Sequence, residues 1–337
     1  MLGHPWYREV KGLVERDERT VSDTDATVAR VVLLSILLLG VALRFHGLDA
    51  QSLWSDELAT WRRTSFADVG TVVDEAMYRD VHPPFYLVLI HYVVLHVGDS
   101  EWHLRLPSAM AGILTVLVVY AIGKRTYGRR SGLLAAGLTA VCWCPVYFSQ
   151  EARGNALMLL FVSMAHWFWF ELMMTHDMDH RTRNGHIVGY CAYALLAAYT
   201  HYFGLLMVGL QAVGALLISI GERRVLHRSM TMCLIVFMGF APWLPTMLSQ
   251  FGARTNISWI ESPGEPVFAF AAFLYFLFNR SRYLLVLVGI LYASLAALIF
   301  RENEGPIDIT AVKRFTRSPD GIVLAWLVLP FLITYVV

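Results

Sequence analysis

Nine predominantly apolar runs, each able with its flanks to cross a bilayer as a helix, constrain this chain more than any other feature. They lie at 31–43, 106–123, 131–148, 156–174, 187–202, 204–220, 230–248, 283–300 and 321–337. Two shorter runs, 83–97 and 267–278, have the length of interfacial or re-entrant helices. With 57% hydrophobic and 16% charged residues, such a chain reads as an all-α polytopic membrane protein of about nine spans plus juxtamembrane helices. About thirty polar residues precede the first run, too many for the leading segment of a cleavable signal, so that run is expected to stay as an anchor.

Basic residues orient the runs. With the N-terminus inside and both short runs kept on the outer side, the inner segments are 1–30, 124–130, 175–186, 222–228 and 301–319. They hold 18 of the 27 Lys and Arg. That asymmetry satisfies the positive-inside rule, whereas a full crossing by 83–97 would move Lys124, Arg125, Arg129 and Arg130 outside. The expected organisation is an inner N-terminal segment, 1–30, and one transmembrane domain, 31–337, whose first outer loop is 44–106. A formal net charge of +1 with no concentrated basic face gives no reason to expect a nucleic-acid partner. Cys142, Cys144, Cys191 and Cys233 lie in apolar runs and read as small buried hydrophobes.

This topology collects the distinctive polar residues on the outer side. Asp56 and Glu57 follow the first run; His82, Glu151, Arg153, His201, Tyr202 and Trp259 sit in outer loops or at outer helix ends. Ionised groups at such depths need water or a partner, so their clustering points to a site. A sugar on a polyprenyl phosphate keeps its tail in lipid and its phosphate at the surface. An enzyme using it needs a base for the acceptor hydroxyl and cationic or hydrogen-bonding groups for the phosphate. Asp56, with Glu57 as helper or helix cap, suits the first task; Arg153, His82 and His201 suit the second. Attack opposite a phosphate leaving group predicts inversion at the anomeric carbon. His91 and His96, on the short helix after His82, read as interfacial.

The motifs also carry a family resemblance. Trp54-Ser55-Asp56-Glu57, His82-Pro83-Pro84-Phe85-Tyr86, Arg105-Leu106-Pro107-Ser108, Gln150-Glu151-Ala152-Arg153-Gly154, Tyr199-Thr200-His201-Tyr202-Phe203 and Ala241-Pro242-Trp243-Leu244 occur in the order seen in GT-C-type glycosyltransferases. The chain resembles glycosyltransferase family 39, which includes the dolichyl-phosphate-mannose protein mannosyltransferases and is related to lipid A aminoarabinose transferases. The resemblance implies a GT-C helical fold, an outer-face site, a polyprenyl- or dolichyl-phosphate sugar donor, and a protein, glycan or lipid acceptor. It also places the catalytic acid on Asp56. Many relatives continue past the point where this chain stops, so it is expected to be either truncated or a short member.

Two carboxylates beside His82 or His201 offer donors that suit magnesium or manganese, yet a monophosphate has little charge to neutralise, and no obligatory metal is expected. The other reading of such a chain is a transporter or flippase. That class places coupling residues near the midplane of repeated halves, and neither feature is seen in the sequence. Asn256-Ile257-Ser258 and Asn279-Arg280-Ser281 match the glycosylation acceptor pattern and fall outside in this topology.

Overall fold

The computed structural model describes residues 23–175, 178–218 and 223–252. The two last apolar runs, the short run 267–278, Trp259 and both glycosylation patterns lie outside the described residues. Apart from Cys142–Cys144, the described residues belong to one compact unit. Among them the regular structure is helical: α1 Asp23–Phe45, α2 Ser55–Thr64, α3 Val69–Tyr78, α4 Phe85–His96, α5 Glu101–Tyr127, α6 Arg129–Val141, α7 Trp143–Ser149, α8 Asn155–Met174, α9 His180–Thr200, α10 Tyr202–Ile218, α11 Arg223–Phe240, a 3₁₀ turn Ala241–Trp243, and α12 Leu244–Gly252. Among the described residues, four stretches, in α1, α5, α8 and α11–α12, are long and apolar enough to cross a membrane, or five if α6 and α7 form one broken span.

That break departs from the single span expected over 131–148. α6 and α7 meet at 56°. Pro145 explains it, because its ring would clash with the carbonyl of Val141 four residues back and it has no N–H to donate. Arg44, fully buried at the end of α1, takes up carbonyls near the break: Nη1 donates to Ala140 O at 2.9 Å and Nη2 to Thr139 O at 3.0 Å. Close packing then depends on missing side chains. A Cβ on Gly132 would fall 2.7 Å from both the Lys124 nitrogen and the Tyr120 oxygen, so α5 and α6 touch backbone to backbone. Gly128, at φ 89°, supplies the left-handed turn between them.

The short apolar run after the two prolines forms the twelve-residue helix α4, whose core contacts explain its lack of a continuous polar face. On one side Tyr86 and Ile90 pack with Leu104, Ala111, Ala152, Ala156 and Leu157 of neighbouring segments. On another, Leu87 packs with Val72, Ala76, Ala198, Phe240 and Trp243. This helix is therefore a central post between two cores, held by burial on both sides. His91, read from the sequence as interfacial, is buried on that post, with Nδ1 3.0 Å from Thr64 O.

Candidate active site

The acid pair after the first run divides between two environments. α2 begins at Ser55, so Asp56 and Glu57 both lie in its first turn, where the helix dipole favours negative charge. Glu57 is completely buried, and its Oε2 accepts from the backbone N–H of Trp54 at 3.3 Å. Arg105 grips the same carboxylate from α5: Nε donates to Oε1 at 2.8 Å and Nη2 to Oε2 at 2.7 Å. Its remaining donors reach Leu48 O, Gln51 O and Ser52 O. Oε1 of Glu57 also accepts from Ala152 N–H at 2.7 Å. Glu57 is thus a brace rather than a group facing substrate, which narrows the helper-or-cap reading to a buried capping and clamping role.

This clamp sets the position of Asp56. Glu57 fixes the first turn of α2 on one side and the backbone at Ala152 on the other. One helical turn beyond Arg105, Ser108 donates its hydroxyl to Arg153 O at 3.0 Å. The Arg-Leu-Pro-Ser motif therefore ties together the Asp-Glu and Gln-Glu-Ala-Arg segments, a role that its polar residues alone did not disclose. As a result Asp56 Oδ2 lies 3.6 Å from Arg153 Nη2, with the Asp56 side chain 45% exposed. A pair so exposed is screened and breaks readily when a better anion arrives. Glu151, buried beside them, is raised in pKa by desolvation and by the charge of Glu57, partly offset by a hydrogen bond with Tyr147 and by Arg153.

Arg153 also lines a cleft with Thr60, Asp80, His82, Tyr86, Asn155 and His201. His82 and His201 face one another there, their ring centroids 4.7 Å apart at 60°. Asp80, which sequence reasoning missed, organises this end. One carboxylate oxygen meets His82 Nδ1 at 2.8 Å and accepts from the backbone N–H groups of Val81 at 2.7 Å and His82 at 3.0 Å. The other accepts from Arg63 Nη1 at 2.9 Å. Burial opposes the charge on Asp80, but the His82 hydrogen bond, the charge His82 carries when protonated, the charge of Arg63 and the Val81 amide outweigh it and hold the carboxyl down at about 2. Asp80-Val81-His82-Pro83-Pro84 was the available signal: an acid two residues before a histidine whose backbone the prolines restrict.

His201 sits at the corner between α9 and α10. Gly204 lets the corner close, since a Cβ there would stand 2.3 Å from Ala197 O. The amide of Phe203 donates to His201 Nδ1 at 3.1 Å. Desolvation first, and then the positive charges of His82 in its protonated form and of Arg153, push its pKa down to about 3. Tyr202, expected to touch substrate, is engaged elsewhere: its hydroxyl donates to Gln250 Oε1 at 2.5 Å and accepts from Trp243 Nε1 at 3.1 Å. Gln250 in turn donates to Ala76 O, Met77 O and Asp80 O, so Tyr202 braces the loop that carries Asp80 and His82. Among the described residues no group of three or more His, Cys, Asp or Glu is arranged to hold a metal ion.

Comparison with known proteins follows the same motifs. The family model described as dolichyl-phosphate-mannose-protein mannosyltransferase matches residues 81–246. A Bacillus subtilis (strain 168) protein named "Putative mannosyltransferase YkcB" is 26% identical over 148 residues, 41% of this chain, and the chain spans 21% of that protein's length. Among solved structures, the S. cerevisiae protein O-mannosyltransferase Pmt1-Pmt2 complex bound to the sugar donor aligns with a TM-score of 0.46 and 18% identity, covering 74% of this chain and 35% of that one. Asp56 precedes the family match and joins it in space through Arg153. Over residues 81–246, the stretch bearing the His-Pro-Pro, Gln-Glu-Ala-Arg and Tyr-Thr-His-Tyr motifs, the chain is therefore similar to the dolichyl-phosphate-mannose-protein mannosyltransferase family.

Proposed function

We propose that the chain is an inverting glycosyltransferase that moves a sugar, mannose or a close relative, from a polyprenyl- or dolichyl-phosphate donor to an acceptor hydroxyl at the outer membrane face. The observation that carries this reading is the Asp56–Arg153 contact of 3.6 Å, beside a cleft whose other wall holds His82 and His201. A donor phosphate entering the cleft competes for Arg153 and loosens its hold on Asp56. The base is then freed as the leaving group is bound.

The charge balance of the reaction fits this arrangement. The acceptor oxygen forms a bond to the anomeric carbon on the face opposite the phosphate, while the bond from that carbon to the phosphate oxygen breaks. The hydroxyl proton passes to Asp56. The lipid phosphate, a diester with one negative charge before transfer, becomes a monoester that gains a second. Arg153 and the two histidines are placed to stabilise that added charge. Glu57 takes no part in the bond changes and holds Asp56 in position.

Purified protein in lipid, supplied with labelled polyprenyl-phosphate sugars and a panel of hydroxyl acceptors, tests the reading. The expected product carries the sugar with the anomeric configuration opposite to that in the donor. Retention of configuration would rule out direct attack assisted by Asp56, and absence of transfer from every donor would overturn the glycosyltransferase reading.

A further inference from the structure

The two cleft histidines are wired oppositely. An ionised carboxylate can only accept, so the 2.8 Å contact with Asp80 requires a proton on Nδ1 of His82 and leaves Nε2 as the ring's variable nitrogen. At His201 the Phe203 amide is the donor, so Nδ1 accepts and the proton sits on Nε2. Two rings 4.7 Å apart thus present different chemistry to one cleft.

We propose that Asp80 is a positioning residue that makes His82 the proton-accepting partner of a bound phosphate, while His201 is held as a neutral N–H donor. The proposal rests on the glycosyltransferase reading for the identity of the phosphate. When the lipid phosphate occupies the cleft, Nε2 of His82 takes one proton from solvent, and the resulting imidazolium lies between Asp80 and the phosphate. No other bond changes in this step. The charge added to the phosphate on sugar departure then meets a cation already in place.

The groups around His82 support this division. Asp80 faces it directly, with Arg63 of α2 fixed behind that carboxylate. His201 faces it from the α9–α10 corner, and Arg153 and Tyr86 line the same cleft, with Asp56 beyond Arg153. Two like charges this close oppose each other, so only one of the two rings is charged at a time. Asp80 decides which one. A carboxylate behind an imidazole orients the ring and stabilises its cationic form, whereas an imidazole that accepts a backbone amide has no such support.

The test is nitrogen-15 NMR of histidine-labelled protein in nanodiscs, with signals assigned by His82→Gln and His201→Gln, and farnesyl phosphate as the probe. In the unliganded wild type His82 is expected to be protonated at Nδ1 and His201 at Nε2. Saturating farnesyl phosphate at neutral pH is expected to convert His82 to the imidazolium and leave His201 neutral. In Asp80→Asn, His82 should stay neutral under the same conditions, and the dissociation constant for farnesyl phosphate should rise about tenfold. Protonation of His201 instead, unchanged protonation of His82 in Asp80→Asn, or no binding by the wild type would each overturn the proposal. The wild-type arm decides the matter even if Asp80→Asn does not fold. Sugar transfer is measured separately: a protein that charges His82 on binding the probe yet turns over no donor supports the dyad and contradicts the glycosyltransferase reading.

Discussion

At the residue scale, the neighbouring carboxylates Asp56 and Glu57 do different work because only one is buried. Glu57 is clamped by Arg105 and by backbone amides, so Glu57→Gln leaves a buried guanidinium without its counter-charge. Breaking such a pair from one side costs about 3–5 kcal/mol, and the loss should appear in denaturant titrations of the protein in detergent. Arg153→Met should raise the donor KM about tenfold or more, because it removes a phosphate cation, and steady-state kinetics would show it. His201 makes stability sensitive to acid. Its folded pKa of about 3 lies below the unfolded value near 6.5, so the unfolded chain binds the extra proton first. The stability due to its neutral form is complete above pH 6.5 and is lost as pH falls towards 3. His201→Gln should therefore flatten the decline in thermal midpoint between pH 6.5 and 4. Asp80 extends the decline, its contribution being lost as pH falls from about 4 to about 2. The sequence singled out Asp56, Arg153, His82 and His201 as candidates because charged or titratable groups at apolar boundaries are costly without a partner, and the structure brings them together. It did not disclose the role of Arg105, whose partners lie 48 to 57 residues away, and it passed over Asp80, whose local contact with His82 is completed by Arg63 17 residues back.

At the element scale, hydropathy located helices well and their interruptions poorly. Over their described residues, the first seven apolar runs fall mainly on helix, because a backbone in lipid must satisfy its own hydrogen bonds. The bend between α6 and α7 was legible in Pro145 but was hidden by the apolar average around it. The close approach of α5 and α6 was legible only as scattered glycines, since the geometry that uses them involves two turns from separate helices. Gly132→Val should accordingly prevent correct packing of this hairpin, seen as loss of monodisperse protein on gel filtration. Tyr202→Phe deletes the hydroxyl between Trp243 and Gln250 while leaving the cleft lining intact. Its effect should be a loss of about 1–2 kcal/mol of stability in the same titrations, larger than its change in donor KM.

At the scale of the whole molecule, the described residues form a helical assembly in which a central post, α4, and a buried clamp on α5 bring three distant motifs to one cleft. The proposed outer-face position of that cleft rests on the distribution of basic residues in the sequence. The 124–130 turn is expected inside, so a single cysteine placed at Tyr127 in an otherwise cysteine-free chain should resist membrane-impermeant maleimide in intact cells and react after permeabilisation. The central claim, that Asp56 takes the acceptor proton beside a phosphate bound by Arg153, is tested most directly by comparing sugar transfer in Asp56→Asn and the wild type. The assay uses saturating labelled polyprenyl-phosphate donor, with donor binding measured in parallel. The account predicts that transfer falls at least a hundredfold while donor binding is kept or tightened, because the side chain that competes for Arg153 has lost its charge. Transfer at the wild-type rate in Asp56→Asn would contradict it.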